Sequence, residues 1–294
     1  MRNKVVLITG ANTGIGFFTA LELARQGAHV VMACRTAERA NRARDQIRQA
    51  TGNQRVETIA LDLGDFESVQ ACAQSILLRD LPIHCLINNG GVAGARGITR
   101  SGFEIAFGTN HMGHFALTQA LLPRILESSP ARIVTVASRA HRYVGSIPFQ
   151  ELSAPTRSWL TIREYAVSKL ANILFSQELG QRLQGTGVQT YAVHPGVIAS
   201  EIWRHAPKPI VALRKWTMIT PAEGAKTSLY CATAASTAHE TGLYYDRCQV
   251  REPSALASNR ALAETLWRFS ERALSPSIEN HPHGQSFQNA NHPA

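Results

Sequence analysis

Tyr165 and Lys169 stand four residues apart in the run YAVSK, with Ser168 beside the lysine. Four residues make just over one helical turn, so on a helix the phenol and the ammonium share a face. A phenol with a pKa near 10 is a poor proton donor or acceptor at neutral pH. A neighbouring ammonium stabilises the phenolate and draws that pKa toward the working range. Such a phenol can give a proton to a carbonyl oxygen or take one from a hydroxyl. Alone, the pair would read as two ordinary neighbours on an exposed helix; its company argues otherwise. NNGG spans 88–91, Asn110 sits in TNHMGHF, Ser138 ends the run VTVAS, and HPG spans 194–196. Each falls at the end of an apolar run or on the helical pattern beside one.

The first apolar run ends in TGANTGIG, Thr9 to Gly16, with glycines at 10, 14 and 16 and a helical pattern after them. The spacing is GxxxGxG rather than GxGxxG, but the physical demand is the same. Small residues let the backbone turn sharply and approach a pyrophosphate, which then rests on the amides of a helix N-terminus. A glycine-rich turn is a weak signal by itself and a stronger one at the first strand–helix junction of an α/β sheet. The end of the second run discriminates between dinucleotides. An acid there holds the ribose 2′-hydroxyl of NAD, whereas an arginine accommodates the 2′-phosphate of NADP. This chain reads MACRTAER, with Arg35 just past the run, Arg39 nearby and no acid before Glu38, so NADP(H) is the expected cofactor. The bland alternative is that Arg35, Arg39, Arg42, Arg44 and Arg48 are a solvated helix face.

Bringing these residues together demands a particular architecture. Near-continuously apolar runs at 4–9, 28–34, 56–61, 83–88, 132–138 and 188–193 read as strands buried on both faces. Helical patterns alternate with them at 15–26, 36–50, 66–78, 102–128, 161–184 and 221–235. The alternation predicts an α/β protein, a single doubly wound (Rossmann-type) domain over 1–274 with a parallel sheet flanked by helices on both faces. Ligands lie at the carboxyl ends of strands in such a sheet, so the Pro-, Trp- and base-rich insertion at about 196–220 is placed to act as a substrate lid. Within it, Trp203, Ile210, Val211, Leu213 and Trp216 mix with Arg204, Lys208, Arg214 and Lys215. Such a segment either rests on an anionic membrane or covers substrate without touching one. The polar stretch 275–294 reads as a disordered tail.

Composition narrows the function classes. With 294 residues, 44% hydrophobic and 17% charged, the chain can bury a substantial core. Its net charge of +9 directs attention to anionic partners, but no nucleic-acid motif accompanies it and a nucleic-acid role is set aside. The five cysteines, Cys34, Cys72, Cys85, Cys231 and Cys248, are dispersed without a CxxC pair, which suits a reduced intracellular environment and argues against structural zinc. His111 and His114 lack an evident third ligand, so packing or hydrogen bonding is expected of them and no metal. No run reaches the roughly 18 apolar residues of a spanning helix, and the first is too short for a signal segment. The expectation is a cytoplasmic protein, at most peripheral to a membrane.

In the order and chemistry of its motifs, to about residue 250, the sequence resembles the short-chain dehydrogenase/reductase family. In ACR, NHMGHF and YAVSKLANILFSQEL it resembles the retinol dehydrogenase group of that family. The resemblance implies an NADP(H)-dependent oxidoreductase that interconverts an apolar aldehyde or ketone, such as a retinoid, lipid aldehyde or steroid, and its alcohol. It implies Tyr165 as proton donor or acceptor, with Lys169 lowering its pKa and bonding the nicotinamide ribose. Ser138 would hold the substrate oxygen, and Asn110 a water in a relay from Lys169 to solvent. Gly10, Thr13, Gly14, Ile15 and Gly16 would meet the pyrophosphate, Asp62 and Leu63 the adenine, and Asn89 and Gly90 the adenosine ribose. Backbone around Pro195, Gly196 and Ile198, with Ser200, would position the carboxamide.

The patterns at 102–128 and 161–184 carry more apolar positions than one sheet needs, and by resemblance they pair across a homodimer or homotetramer interface. Three features depart from the family. NNGG stands where NNAG is usual, and Gly90 is expected to loosen the backbone slightly. Ser138 and Tyr165 are 27 residues apart, a long connection shared with the retinol dehydrogenase group, and VGSIPFQELSAPTRSWL between them is expected to form part of the substrate wall. The membrane-anchoring N-terminal segment of many animal members is absent, which weakens transfer of their localisation. Two rivals stay open. A double-bond reductase of the protochlorophyllide oxidoreductase type shares the Tyr/Lys pair, and a non-catalytic NADP-sensing protein would be expected to have lost part of the catalytic group.

Overall fold

The short apolar runs form strands β1 (Val5–Thr9), β2 (His29–Cys34), β3 (Val56–Ala60), β4 (Cys85–Asn88), β5 (Ala131–Val136) and β6 (Val188–His194), joined by β7 (Leu243–Asp246) and β8 (Gln249–Val250). Residues 1–196 and 219–275 are described by the computed structural model. Their eight-stranded sheet has the order β3-β2-β1-β4-β5-β6-β7-β8. Every pairing is parallel except that of β7 with β8. β7 and β8, LYYD and QV, are missing from the apolar-run expectation: neither lies in a longer apolar run of the kind that marks β4.

Helices α1 (Gly14–Arg25), α2 (Ala37–Thr51) and α3 (Phe66–Leu77) follow the first three strands. After β4 come α4 (Ile105–Phe107), a π-helical stretch at Gly108–Met112 and α5 (Gly113–Glu127), and later α6 (Ile162–Arg182), α7 (Pro221–Thr233) and α8 (Arg260–Leu274). Alternate strand residues face opposite ways, and helices cover both sides. Val6, Ile8, Val30 and Met32 pack with Leu23, Ile47 and Cys231 of α1, α2 and α7. Leu7, Val31, Leu86 and Ile133 pack with Val69, Phe115 and Phe175 of α3, α5 and α6. This two-sided burial is why the strands read as unbroken apolar runs.

Part of the apolar surface of α5 and α6 is covered within the chain. Helix α8, absent from the expected elements, lays Trp267 against Phe115 and Phe175, with ring centroids 5.0 and 6.0 Å apart. Arg182 covers the same indole at 4.3 Å. Trp267 is only 4% exposed. Burying a side chain of this size stabilises the fold by roughly 2–3 kcal/mol.

The arginine-rich α2 turns Ala40, Ala43 and Ile47 inward, while Arg42 and Arg44 pair with Glu38 and Asp45 on the solvated side. All five cysteines are free, four of them buried. No described helix is long and apolar enough to cross a membrane. The expected lid lies almost wholly outside the described residues, with Ile198, Ser200 and the Trp203–Trp216 cluster, as does the tail beyond Ser275.

Candidate active site

At the end of β1 the chain turns through Gly10 and Gly14, at φ +63° and +56°, angles that strain any residue with a side chain. Thr13 is the N-cap of α1 but makes no side-chain bond to its first amides, which remain free for an anion. Ile15 and Gly16 complete that first turn. A Cβ on Gly16 would come 2.4 Å from the Gly10 oxygen and 2.5 Å from Asn89 Nδ2. Asn89 Nδ2 itself donates to the Thr9 oxygen at 2.8 Å and to the Gly10 oxygen at 3.3 Å, tying the loop after β4 to the glycine turn.

Thr9 and His114 extend this tie in a way the motifs alone do not announce. Thr9 Oγ1 accepts the amides of Asn89 and Gly90 at 2.9 and 2.8 Å, and lies 2.8 Å from His114 Nε2. On the other side of the ring, His114 Nδ1 lies 2.9 Å from the Asn110 carbonyl. Burial brings the His114 pKa down to about 4, so the ring is neutral. Nδ1–H then donates to Asn110, and Nε2 accepts the Thr9 hydroxyl. His111 turns elsewhere, to Ser270 Oγ of α8 at 3.0 Å. No group of three or more His, Cys, Asp or Glu among the described residues could hold a metal ion.

The end of β2 presents cations. Arg35 and Arg39 are exposed, and among the described residues neither has an ion-pair partner. Glu38, the nearest acid, is bound by Arg42 at 2.5 Å one helical turn on. Past β3, Asp62 Oδ1 accepts the Gly64 amide at 2.9 Å, and Leu63 is buried beside Gly90. A Cβ on Gly90 would meet Leu63 Cδ1 at 2.8 Å, a contact the end of the leucine side chain can relieve by a small shift. Uncapped amides, a side-chain-free cradle and unpaired guanidiniums fit a 2′-phosphorylated dinucleotide.

The acid–base group assembles at the ends of β4 and β5. Tyr165 and Lys169 occupy successive turns of α6, with Nζ 5.7 Å from the phenol ring centroid. Asn110 sits in the π-helical stretch, where a widened turn aims its side chain at the loop after β4. Its Nδ2 donates to the Val92 oxygen at 3.0 Å and Ser168 Oγ at 2.9 Å, while Oδ1 accepts the Val92 amide at 2.7 Å. One Oδ1 lone pair is left for a further donor. A Cβ on Gly91 would stand 2.9 Å from Asn110 Oδ1 and 3.9 Å from Lys169 Nζ, so a bare glycine lets the three segments converge. Ser138, just past β5, accepts the Ala140 amide on Oγ at 3.2 Å and stands close enough to Tyr165 to favour its ionised form. Pro195 and Gly196 follow β6 directly, with Gly196 at φ +94°.

Burial pushes the Tyr165 phenol up to about 12, only partly opposed by Ser138. Burial also brings Lys169 down to about 8, a value at which it still carries its proton at neutral pH. Charge on either group is costly in so dry a site. The arrangement therefore keeps the phenol protonated and ready to donate.

A family model described as short chain dehydrogenase matches residues 4–209. The chain is 45% identical over 273 residues to Retinol dehydrogenase 12 of Mus musculus, covering 91% of this chain and 85% of that protein. It is 42% identical over 278 residues to Dehydrogenase/reductase SDR family member 13 of Bos taurus, covering 92% and 73%. Among solved structures, an uncharacterized protein from Mycobacterium Paratuberculosis matches with a TM-score of 0.74 at 34% identity, over 92% of this chain and 93% of that one. The Pseudomonas aeruginosa RhlG/NADP active-site complex matches with a TM-score of 0.66 at 26% identity, over 83% and 94%.

Proposed function

Because the chain belongs to the short-chain dehydrogenase family, we propose that it is an NADP(H)-dependent oxidoreductase interconverting an apolar aldehyde or ketone and its alcohol. The observation that carries the proposal is the convergence of Asn110, Tyr165 and Lys169 with Ser138 beside the glycine turn. NADP(H) over NAD(H) is supported by exposed Arg35 and by the capture of Glu38 on its own helix. The RhlG complex, solved with NADP, points the same way.

In this reading the free amides of α1, with Gly10, Thr13, Gly14, Ile15 and Gly16, hold the pyrophosphate, and Arg35 holds the 2′-phosphate. Asp62 and Leu63 border the adenine, and Asn89 and Gly90 the ribose. Pro195, Gly196, Ile198 and Ser200 hold the carboxamide. When bound, the cofactor supplies a hydride to the substrate carbonyl. The chain supplies placement and protons. Ser138 uses one lone pair on the Ala140 amide and keeps its O–H for the substrate oxygen. Neutral Tyr165 protonates that oxygen as negative charge develops on it. Lys169, held against the Val136 carbonyl, stabilises the phenolate this leaves, and Asn110 offers its remaining acceptor to a water that returns the proton.

An apolar substrate is supported by the turn leading into α6. It exposes Trp159, Leu160 and Ile162 close to Tyr165 in the chain, at 88%, 55% and 49% of their surface. Arg96 clamps this turn through the oxygens of Thr156, Ser158 and Trp159. The retinol dehydrogenase names of close relatives agree. Replacing Tyr165 by Phe tests the reading: turnover of all-trans-retinal with NADPH should fall by about 10²–10⁴-fold, while NADPH binding, measured by calorimetry, persists. Unchanged turnover would mean that another group gives the proton.

A further inference from the structure

We propose that His141 is a positioning residue for Ser138, holding the serine's backbone and tying it to the C-terminal segment at Ser254. The proposal rests on the reading of Ser138 as the hydroxyl that meets the substrate oxygen.

His141 lies in the short helical turn Arg139–Tyr143 that Ser138 caps, and it is fully buried. Its Nε2 accepts the Ser254 backbone amide at 3.1 Å. A backbone N–H can only donate, so Nε2 carries no proton. The ring proton therefore sits on Nδ1, 2.6 Å from the Ser138 carbonyl oxygen, and donates to it. The same oxygen accepts the His141 amide at 3.2 Å. A carbonyl has two lone pairs, and at Ser138 both are taken by one residue.

The peptide plane after Ser138 is held a second time. The Arg139 amide donates to His194 Nδ1 at 3.4 Å, and the Arg139 guanidinium grips Asp246 Oδ2 at 2.9 and 2.5 Å. His194 and Asp246 face each other in register across β6 and β7. With the backbone fixed on both sides, the Ser138 side chain pivots from one place. The Ala140 amide takes an Oγ lone pair at 3.2 Å and leaves the O–H to aim outward. His141 also packs edge-on against Tyr244, with ring centroids 5.3 Å apart. Shape and hydrogen bonding are thus both candidate reasons for a histidine here, and variants separate them.

His141→Phe keeps a ring against Tyr244 but removes both side-chain bonds. His141→Asn keeps a donor where Nδ1–H was and loses the Ser254 tie and the ring contact with Tyr244. With NADPH and all-trans-retinal, kcat for the Phe variant should fall by about 10–100-fold, as expected when a reacting group is displaced by about an ångström. KM for NADPH should stay within about twofold, and Asn should restore kcat to within about threefold of wild type. Ser254→Pro deletes the amide donor at φ −68°, an angle proline adopts, and leaves the Nδ1–H bond to Ser138 in place, so its kcat, like that of the Asn variant, should stay within about threefold of wild type.

Amide hydrogen exchange at Arg139, Ala140 and His141 gives a readout independent of turnover. It should quicken in His141→Phe and not in His141→Asn. A wild-type enzyme inert toward retinal would count against the proposed function, and the exchange rates would then decide this proposal by themselves. Unchanged kcat and exchange in His141→Phe, or an Asn variant no better than Phe, would overturn it.

Discussion

Lys169 Nζ donates to the backbone carbonyl of Val136 at 2.9 Å, and Asn172 Nδ2 reaches the same oxygen at 3.0 Å. Together they pin α6 to the end of β5 two residues before Ser138, so the serine and Tyr165 are set by one junction. The ammonium is only 3% exposed, and burial brings its pKa to about 8.

That depression makes a stability prediction with a definite sign. Between about pH 8 and 10.5 the unfolded chain keeps a proton on Lys169 that the folded chain has released, so the lysine's contribution to stability rises with pH. Below pH 8 the buried ammonium costs the fold up to roughly 3 kcal/mol. The buried cysteines and Tyr165, whose values are raised, pull the opposite way at alkaline pH. The difference between wild type and Lys169→Met isolates the lysine. By urea denaturation the variant should be the more stable protein at pH 7, with an advantage that shrinks as pH rises past 8; a pH-independent difference would contradict the assignment.

Cofactor choice is read at the end of β2. Arg35→Asp should reduce the NADPH-to-NADH ratio of kcat/KM by about tenfold or more, since it puts an acid where a 2′-hydroxyl partner belongs. An unaltered ratio would show that the 2′ position is read elsewhere.

The glycine turn predicts a steric effect. Gly16→Ala sets a methyl 2.4 Å from the Gly10 oxygen, and should cost about 1–3 kcal/mol and weaken NADPH binding. Gly145→Ala, with nothing within 4 Å, is the control and should change neither.

Helix α8 should be structural cement for α5 and α6. Trp267→Ala removes the indole that Phe115, Phe175 and Arg182 enclose, and should lower stability by about 3–5 kcal/mol in chemical denaturation. A loss under about 1 kcal/mol would show that the surplus on α5 and α6 is covered in another way.

What the sequence disclosed had local marks. β1 to β6 announce themselves as apolar runs because two helical layers bury both of their faces. The glycine turn and the Tyr165–Lys169 spacing are visible because φ and helical period act within a few residues. The remainder is tertiary. LYYD becomes β7 only through its pairing with β6. The π-helical stretch that aims Asn110 exists in partnership with Val92 and Ser168. His114 is a neutral bridge because Thr9 lies opposite it, 105 positions away. The burial of Tyr165 and Lys169 is tertiary too: spacing reports that the two groups are near each other, whereas the surrounding packing sets how costly charge on either one is.

NADPH oxidation with a panel of long apolar aldehydes and ketones, all-trans-retinal among them and NADH in parallel, tests the central claim most directly. The account predicts turnover of apolar carbonyls with NADPH and little with NADH. Tight NADPH binding without turnover of any carbonyl would contradict it.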